Sequence, residues 1–306
     1  VVSLLLRKPV ARIEQTKDFR GVAVGDAAIG TDRAWLLIHV VDGTRQGAFV
    51  KVPSPTFFLR VVLQWTGLYA NEIHFYRKIL AAVPKNICCP CLAALSDGSR
   101  FAIILEDLTY ACQYWGEEMR PPFKPVLMSA TLVGLKNNFP ALLRRETESL
   151  FCKYVWHADA VRTYWDKHPR TLCHGDAHFG NVYFKPDRSA GFFDWQVVSC
   201  ESPMRDVTYF LQMGMEPGLL AKEERGLIAF YLECLCEEMG LKGGRAELKE
   251  LHGLDEDWAC LHYRTHTLYS LTARIATGGA GNFVTSRRVV EELTTRIVSA
   301  GHWIAL

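Results

Sequence analysis

Between Thr171 and Gln196 the chain reads TLCHGDAHFGNVYFKPDRSAGFFDWQ, and no other stretch restricts the possible folds as much. His174, Asp176, His178, Asn181 and Asp194 fall within it, interleaved with the apolar Phe179, Phe184, Phe192 and Phe193. Polar groups held against an apolar edge cost free energy unless they are paired. Asp176 and Asn181 lie five residues apart across a turn at Gly180, so a loop over 174–181 aims both into one cleft. Val182 to Phe184 reads as a strand, Pro186 to Ala190 as a turn, and Gly191 to Phe193 as the returning strand, which delivers Asp194 beside Asn181. One carboxylate and one amide oxygen make a sparse, hard-oxygen set. Such a set suits Mg²⁺ that keeps several waters and completes its shell with nucleotide phosphates. Asp176 is left to accept a proton from a substrate hydroxyl.

HGDAHFGN followed by FFDWQ resembles the catalytic and metal-binding loops of the aminoglycoside phosphotransferase group, the small-molecule branch of the protein-kinase-like fold. The interval from Asp176 to Asn181 matches the kinase pattern H-R-D-x-x-x-x-N, with DWQ standing where kinases carry DFG. The resemblance implies an α+β, protein-kinase-like two-lobe fold, with a small antiparallel-sheet N-lobe, a mostly helical C-lobe and ATP between them. It implies Asp176 as the base or hydroxyl-orienting residue, and Asn181 and Asp194 as Mg²⁺ ligands. His174 braces Asp176 in this reading, with a general-base role as its alternative, and Asp206 anchors the catalytic-loop amides. His178 belongs to no H-E-x-x-H motif, lies among aspartates and takes a supporting role.

Lys51 and Glu72 complete the set. In GAFVKVPSP, a strand stopped by prolines, Lys51 projects opposite to Val50 and Val52. Alone it reads as an edge or snorkelling lysine; under the resemblance it contacts the nucleotide phosphates. Leu68 to Ala82 has helical spacing and no proline, and Glu72 lies on the side of Tyr76. Its carboxylate either pairs inward with Lys51, as the kinase Lys–Glu pair does, or outward with Arg77 or Lys78. Upstream, Phe19 to Val40 offers Gly21, Gly25, Gly30 and Thr31 as a nucleotide-covering hairpin whose amides approach phosphates, although G-x-G-x-x-G and the P-loop signature are both missing. Cys91 to Leu95 and Phe101 to Leu105 form a second hairpin about Asp97-Gly98. The resemblance places a hinge after it, with backbone groups from Glu106 to Leu108 on the adenine edge. The lobes are thus expected at 1–108 and 109–306.

With 306 residues, 49% of them hydrophobic, the chain is long enough for two packed cores. A formal net charge of +2 from scattered basic residues gives no nucleic-acid signature. No apolar run reaches the roughly 18 residues of a membrane span, so no membrane partner is expected, and the absence of an initiating Met points to a trimmed or incomplete chain. Ten cysteines without a short secreted framework point to reduced thiols and a cytoplasmic location. Tyr110 to Pro125 reads as an irregular linker, and helices are expected over Val126 to Asn137, Leu142 to Trp165 with a break near His157, Arg205 to Met213, Glu216 to Glu238, Lys249 to Ile275, and Phe283 to Ala300. Trp258, His262, Tyr263 and His266 on these helices read either as facing the acceptor cleft or as core and boundary residues.

The LEDL hinge, N-E-x-x-F-Y and the two loops look closer to the ecdysteroid-kinase-like and choline-kinase-like branch than to the antibiotic-resistance enzymes. That resemblance implies transfer of the γ-phosphoryl of ATP to a small-molecule alcohol, steroid-like or otherwise apolar. An aminoglycoside or choline-type kinase is the alternative within the fold. A catalytically silent nucleotide-binding protein is the alternative outside enzymology.

Overall fold

In chain order the computed structural model contains strands β1 (Val10–Thr16), β2 (Thr31–Val40) and β3 (Arg45–Pro53), helices α1 (Phe57–Trp65) and α2 (Leu68–His74), and strands β4 (Cys91–Ser96) and β5 (Phe101–Glu106). Helices α3 (Arg145–Trp156) and α4 (Ala158–Trp165) follow, then strands β6 (Thr171–Cys173), β7 (Val182–Phe184), β8 (Ala190–Phe192) and β9 (Ser199–Glu201). The rest is helical: α5 (Met204–Gly214), α6 (Pro217–Glu238), α7 (Gly244–His252) and α8 (Glu256–Gly279). The structure describes residues 9–16, 31–84, 87–97, 100–106, 132–137, 145–185, 187 and 189–279. This is the α+β, protein-kinase-like two-lobe architecture, sheet-rich at the N-terminal side and mostly helical beyond.

Two compact units divide the chain: Val1–Glu118 with Gly180–Val198, and Met119–Phe179 with Ser199–Leu306. The first is built on an antiparallel sheet in the order β1-β2-β3-β5-β4. Period-two alternation turns Ile38, Ala48, Val50, Ala93 and Ile104 onto one buried face. Leu68, Tyr69, Glu72 and Ile73 are the buried positions of α2. The expected single helix from Leu68 to Ala82 is three pieces, because α2 widens into a π-turn at Phe75–Ile79 and tightens into a 3₁₀ turn at Leu80–Ala82. Strands β7 and β8 pair antiparallel as the sequence predicts, with Val182 opposite Phe192. Gly191 is required there, since a Cβ would overlap the Tyr183 ring.

In the second unit α5 and α8 carry one core with Phe151, Val155, Tyr209, Met213 and Leu271. A second core joins Met204, Ile228, Leu232, Leu248 and Tyr263. The break between α3 and α4 falls at His157, as expected. Lys249 to Ile275 is not one helix: Gly253, at φ +68°, ends α7, and Asp255 accepts from the Trp258 amide at 2.8 Å to start α8. Among the described residues no helix is long and apolar enough to cross a membrane. The segments 110–125 and 283–300 and the boundary after residue 108 lie outside the described residues.

Candidate active site

Lys51 lies on β3, where alternation sends it away from Val50, and α2 brings Glu72 to it. Its ammonium donates to Glu72 Oε1 at 2.7 Å and to Asp194 Oδ1 at 2.9 Å. All three side chains are at most 3% exposed. The inward pairing of Glu72 is therefore the one realised, and it is shared. A buried lysine needs compensation for its lost hydration, and one carboxylate suffices for the charge. Two carboxylates on one ammonium leave the cluster with one net negative charge. Tyr76, buried above it, has its phenol pushed well up by burial and then by Glu72, so it stays protonated.

Asp194 reaches Lys51 by a backbone conformation that side chains avoid. At φ 66° and ψ 57° it is the one positive-φ non-glycine residue among the described residues. Holding a non-glycine residue left-handed costs about 1–2 kcal/mol. The neighbours fix it. The Phe193 amide donates to the Asn181 carbonyl at 3.1 Å, the Trp195 indole donates to the Phe192 carbonyl at 3.2 Å, and the Trp195 ring stacks on Phe75 at 4.3 Å. The β7–β8 register thus sets Asn181 opposite Phe193, next to Asp194, and Asn181 is fully buried.

In the second unit β6 leads into His174, Gly175 and Asp176. Gly175 turns the chain at φ +81°, a conformation open to glycine at little cost. Asp206, in the first turn of α5, accepts from the His174 amide at 2.5 Å and the Gly175 amide at 2.9 Å. These are charge-assisted bonds to backbone, the strong kind, and they give Asp206 the anchoring role expected of it. The Asp176 amide donates to His174 Nδ1 at 3.2 Å, so His174 braces the residue through its main chain. His178 Nε2 lies 3.8 Å from Asp176 Oδ1.

Two aromatic residues beneath this loop escape sequence reasoning. Tyr269 on α8 donates to the Gly175 carbonyl at 2.5 Å, and the Arg205 guanidinium lies 4.1 Å over its ring. Tyr209 on α5 packs 5.6 Å from Tyr269, its phenol pushed well up by burial and by the Asp176 carboxylate. Both sit in helical stripes where an aromatic residue reads as core. Arg274, also wholly buried, is pulled down to about 10 by burial, with Tyr209 acting against that pull.

Of the expected nucleotide contacts, Gly25, Gly30 and Leu108 lie outside the described residues. The Thr31 backbone starts β2 opposite Pro53, and that of Glu106 ends β5 opposite Ala48. Asp194 and Asn181 offer a buried carboxylate and amide beside the net negative charge, a donor set that fits Mg²⁺ sharing its shell with phosphates and water. Among the described residues no three His, Cys, Asp or Glu side chains form a metal cage of their own.

Residues 119–242 match the model of the ecdysteroid kinase-like family. No curated protein matches the chain in sequence. The structure of a choline kinase from Cryptosporidium parvum is similar over 96% of this chain and 90% of its own, at a TM-score of 0.50 and 10% identity. Choline kinase LicA from Streptococcus pneumoniae is similar over 99% and 96%, at 0.49 and 13%. An ethanolamine kinase from Plasmodium vivax is similar over 94% and 81%, at 0.45 and 11%. The chain has the fold of choline-kinase-like small-molecule kinases.

Proposed function

We propose that the chain is an ATP-dependent phosphotransferase that moves the γ-phosphoryl of ATP to a hydroxyl of a small molecule. The observation that carries this reading is the buried cluster in which Glu72 and Asp194 share Lys51. A purely structural pair has no use for the second carboxylate. A nucleotide site does, since an acid beside Asn181 is what a divalent cation needs. Bound Mg²⁺ would neutralise charge on the transferring phosphoryl group.

The chain's own residues take the remaining roles. Lys51 positions the phosphates, and Glu72 holds the ammonium in place. Gly25, Gly30 and Thr31 cover the phosphates, while backbone around Glu106 and Leu108 meets the adenine edge, at the end of a nucleotide-binding lobe over 1–108. In the catalytic lobe over 109–306 Asp176 orients the acceptor hydroxyl, on a loop held by Asp206 and braced by His174. The acceptor is an apolar, steroid-like alcohol, a reading supported by the family model that matches 119–242. No disulfide joins the nine described cysteines to one another, which supports a reducing, cytoplasmic setting.

The test is magnesium-dependent transfer from ATP to a library of alcohols, followed by mass spectrometry, with Asp176→Ala and Asp194→Ala as controls. Mass gain of one phosphoryl group, seen with the wild-type protein alone, is expected. Transfer to no acceptor, or full activity in Asp194→Ala, sinks the reading.

A further inference from the structure

Helix α2 and its π-turn have a second side. Glu72, Ile73, Phe75 and Tyr76 are buried, whereas Ala70, His74, Arg77 and Lys78 face outward at helical spacing. There they form one wall of a groove of about 510 Å³ against β4 and β5. Its floor is apolar: Ile73 is 8% exposed, and the Tyr69 ring packs on that of Phe101 at 4.7 Å. Its charged lining is of one sign, with Arg77, Lys78 and Arg100 and no carboxylate. Arg77 is held in place by its Nε–H, which donates to the Ala94 carbonyl at 2.7 Å. No ion pair joins these three cations to a carboxylate among the described residues.

A groove of this size matches a small molecule. Three cations lining one groove call for a multiply charged anion, with the guanidinium groups suited to phosphate oxygens. The apolar floor calls for a body that a bare inorganic anion lacks. We propose that this groove is a binding site for a phosphate monoester carried on an apolar group, separate from the Lys51 cluster. Whatever fills it presses on the helix whose buried side holds Glu72, so occupancy is transmitted to the Lys51–Glu72 pair. A phosphorylated apolar alcohol is also what the proposed transferase would release, and that link, unlike the site, rests on the functional reading above.

Phenyl phosphate titrated calorimetrically into the nucleotide-free protein tests the site without reference to phosphoryl transfer. Saturable binding is expected, roughly tenfold tighter than that of inorganic phosphate, with benzyl alcohol silent. Lys78→Glu with Arg100→Glu, both at exposed positions, should weaken it by tenfold or more, and Ala70→Trp should block it by filling the groove. Lys51→Met should still bind phenyl phosphate saturably. Hydrogen exchange over 68–79 should slow on binding. The proposal is overturned by an absence of saturable binding, by equal affinity for inorganic phosphate, by loss in Lys51→Met instead of the groove variants, or by unaltered exchange over 68–79. It is equally overturned if phosphatidylserine vesicles, and not phenyl phosphate, bind in a manner sensitive to the exposed Trp65.

Discussion

Tyr269 donates its hydroxyl to the carbonyl of Gly175 at 2.5 Å, joining positions 94 apart in sequence. With Asp206 accepting from the amides of His174 and Gly175, the turn before Asp176 is held at its carbonyl and at its amides. Helices α5 and α8, far apart in sequence, thereby fix one loop. Removing the hydroxyl alone in Tyr269→Phe leaves the ring under Arg205 and takes away the bond to the Gly175 carbonyl together with the hydroxyl's contact with Arg205. The expected loss of stability is about 1–2 kcal/mol, read by urea unfolding. The turnover number should fall while the Michaelis constant for ATP stays, because the variant loosens Asp176 and leaves Lys51 untouched.

The cluster around Lys51 makes an asymmetric expectation. Glu72→Gln leaves the ammonium with Asp194, a neutral pair. Lys51→Met instead removes the cation that Glu72 and Asp194 share, a loss of about 3–5 kcal/mol when a buried pair is broken. Lys51→Met should therefore melt well below Glu72→Gln, although both should lose the proposed transfer activity. Thermal unfolding of the two proteins in one buffer decides it. Equal melting temperatures would mean that the charge balance described here does not govern this core.

Acid should loosen the second unit through two histidines on α8. His262 and His266 are wholly buried, and burial pulls their pKa values down to about 4 and about 3. His262 lies in a wall of rings, stacked on Trp258 at 4.3 Å and edge-on to His168 at 4.3 Å, with neither ring nitrogen hydrogen-bonded among the described residues. Both stay neutral in the folded state, while in the unfolded chain both take protons near the ordinary value of about 6.5. The unfolded state thus binds more protons below that pH, so stability present above it is lost as pH falls toward 4. Two protons set a slope of at most about 2.7 kcal/mol per pH unit. Unfolding free energies between pH 7 and 4.5 should show it, and His262→Phe with His266→Phe should flatten the curve relative to the wild type. Parallel curves would remove these histidines as the cause.

Much of this was legible in the chain, and what was not has identifiable reasons. The hairpin that carries Asn181 and Asp194 follows from turn chemistry and alternation, both local. Glu72 follows from a simple conflict, a carboxylate on the apolar side of a helix, which its partner Lys51 resolves. That Asp194 shares the same ammonium does not follow, because the left-handed backbone that brings it there leaves no mark in residue type. Tyr209 and Tyr269 sit at helical spacing among core residues, and a hydroxyl in such a stripe has the pattern of any buried tyrosine. Helix α1 was legible too: its residues carry an amphipathic period at helical spacing, with Leu63 buried, even though Phe57, Phe58 and Trp65 are more than half exposed. The break at Gly253 to Asp255 was there to be read, as a glycine end followed by an aspartate start.

The left-handed backbone of Asp194 separates what its side chain does from what its position costs. Asp194→Ala and Asp194→Gly both remove the carboxylate that lies 2.9 Å from Lys51, so both should lose magnesium-dependent transfer. Their stabilities should differ. Alanine keeps a Cβ at φ 66°, which costs about 1–2 kcal/mol, whereas glycine takes that conformation freely. The entropy of a more flexible unfolded chain works against glycine, by about 0.4–1 kcal/mol. Strain is the larger effect, so Asp194→Gly should be the more stable variant, by about 1 kcal/mol. Both should also relieve the excess negative charge, leaving Lys51 and Glu72 as a balanced pair. Neither variant should therefore suffer the loss expected of Lys51→Met. Chemical unfolding with matched activity assays reads all three. A glycine variant less stable than the alanine one would show that residues 192–195 relax out of the left-handed turn once the carboxylate is gone, and that the Lys51 contact itself holds the strained backbone in place.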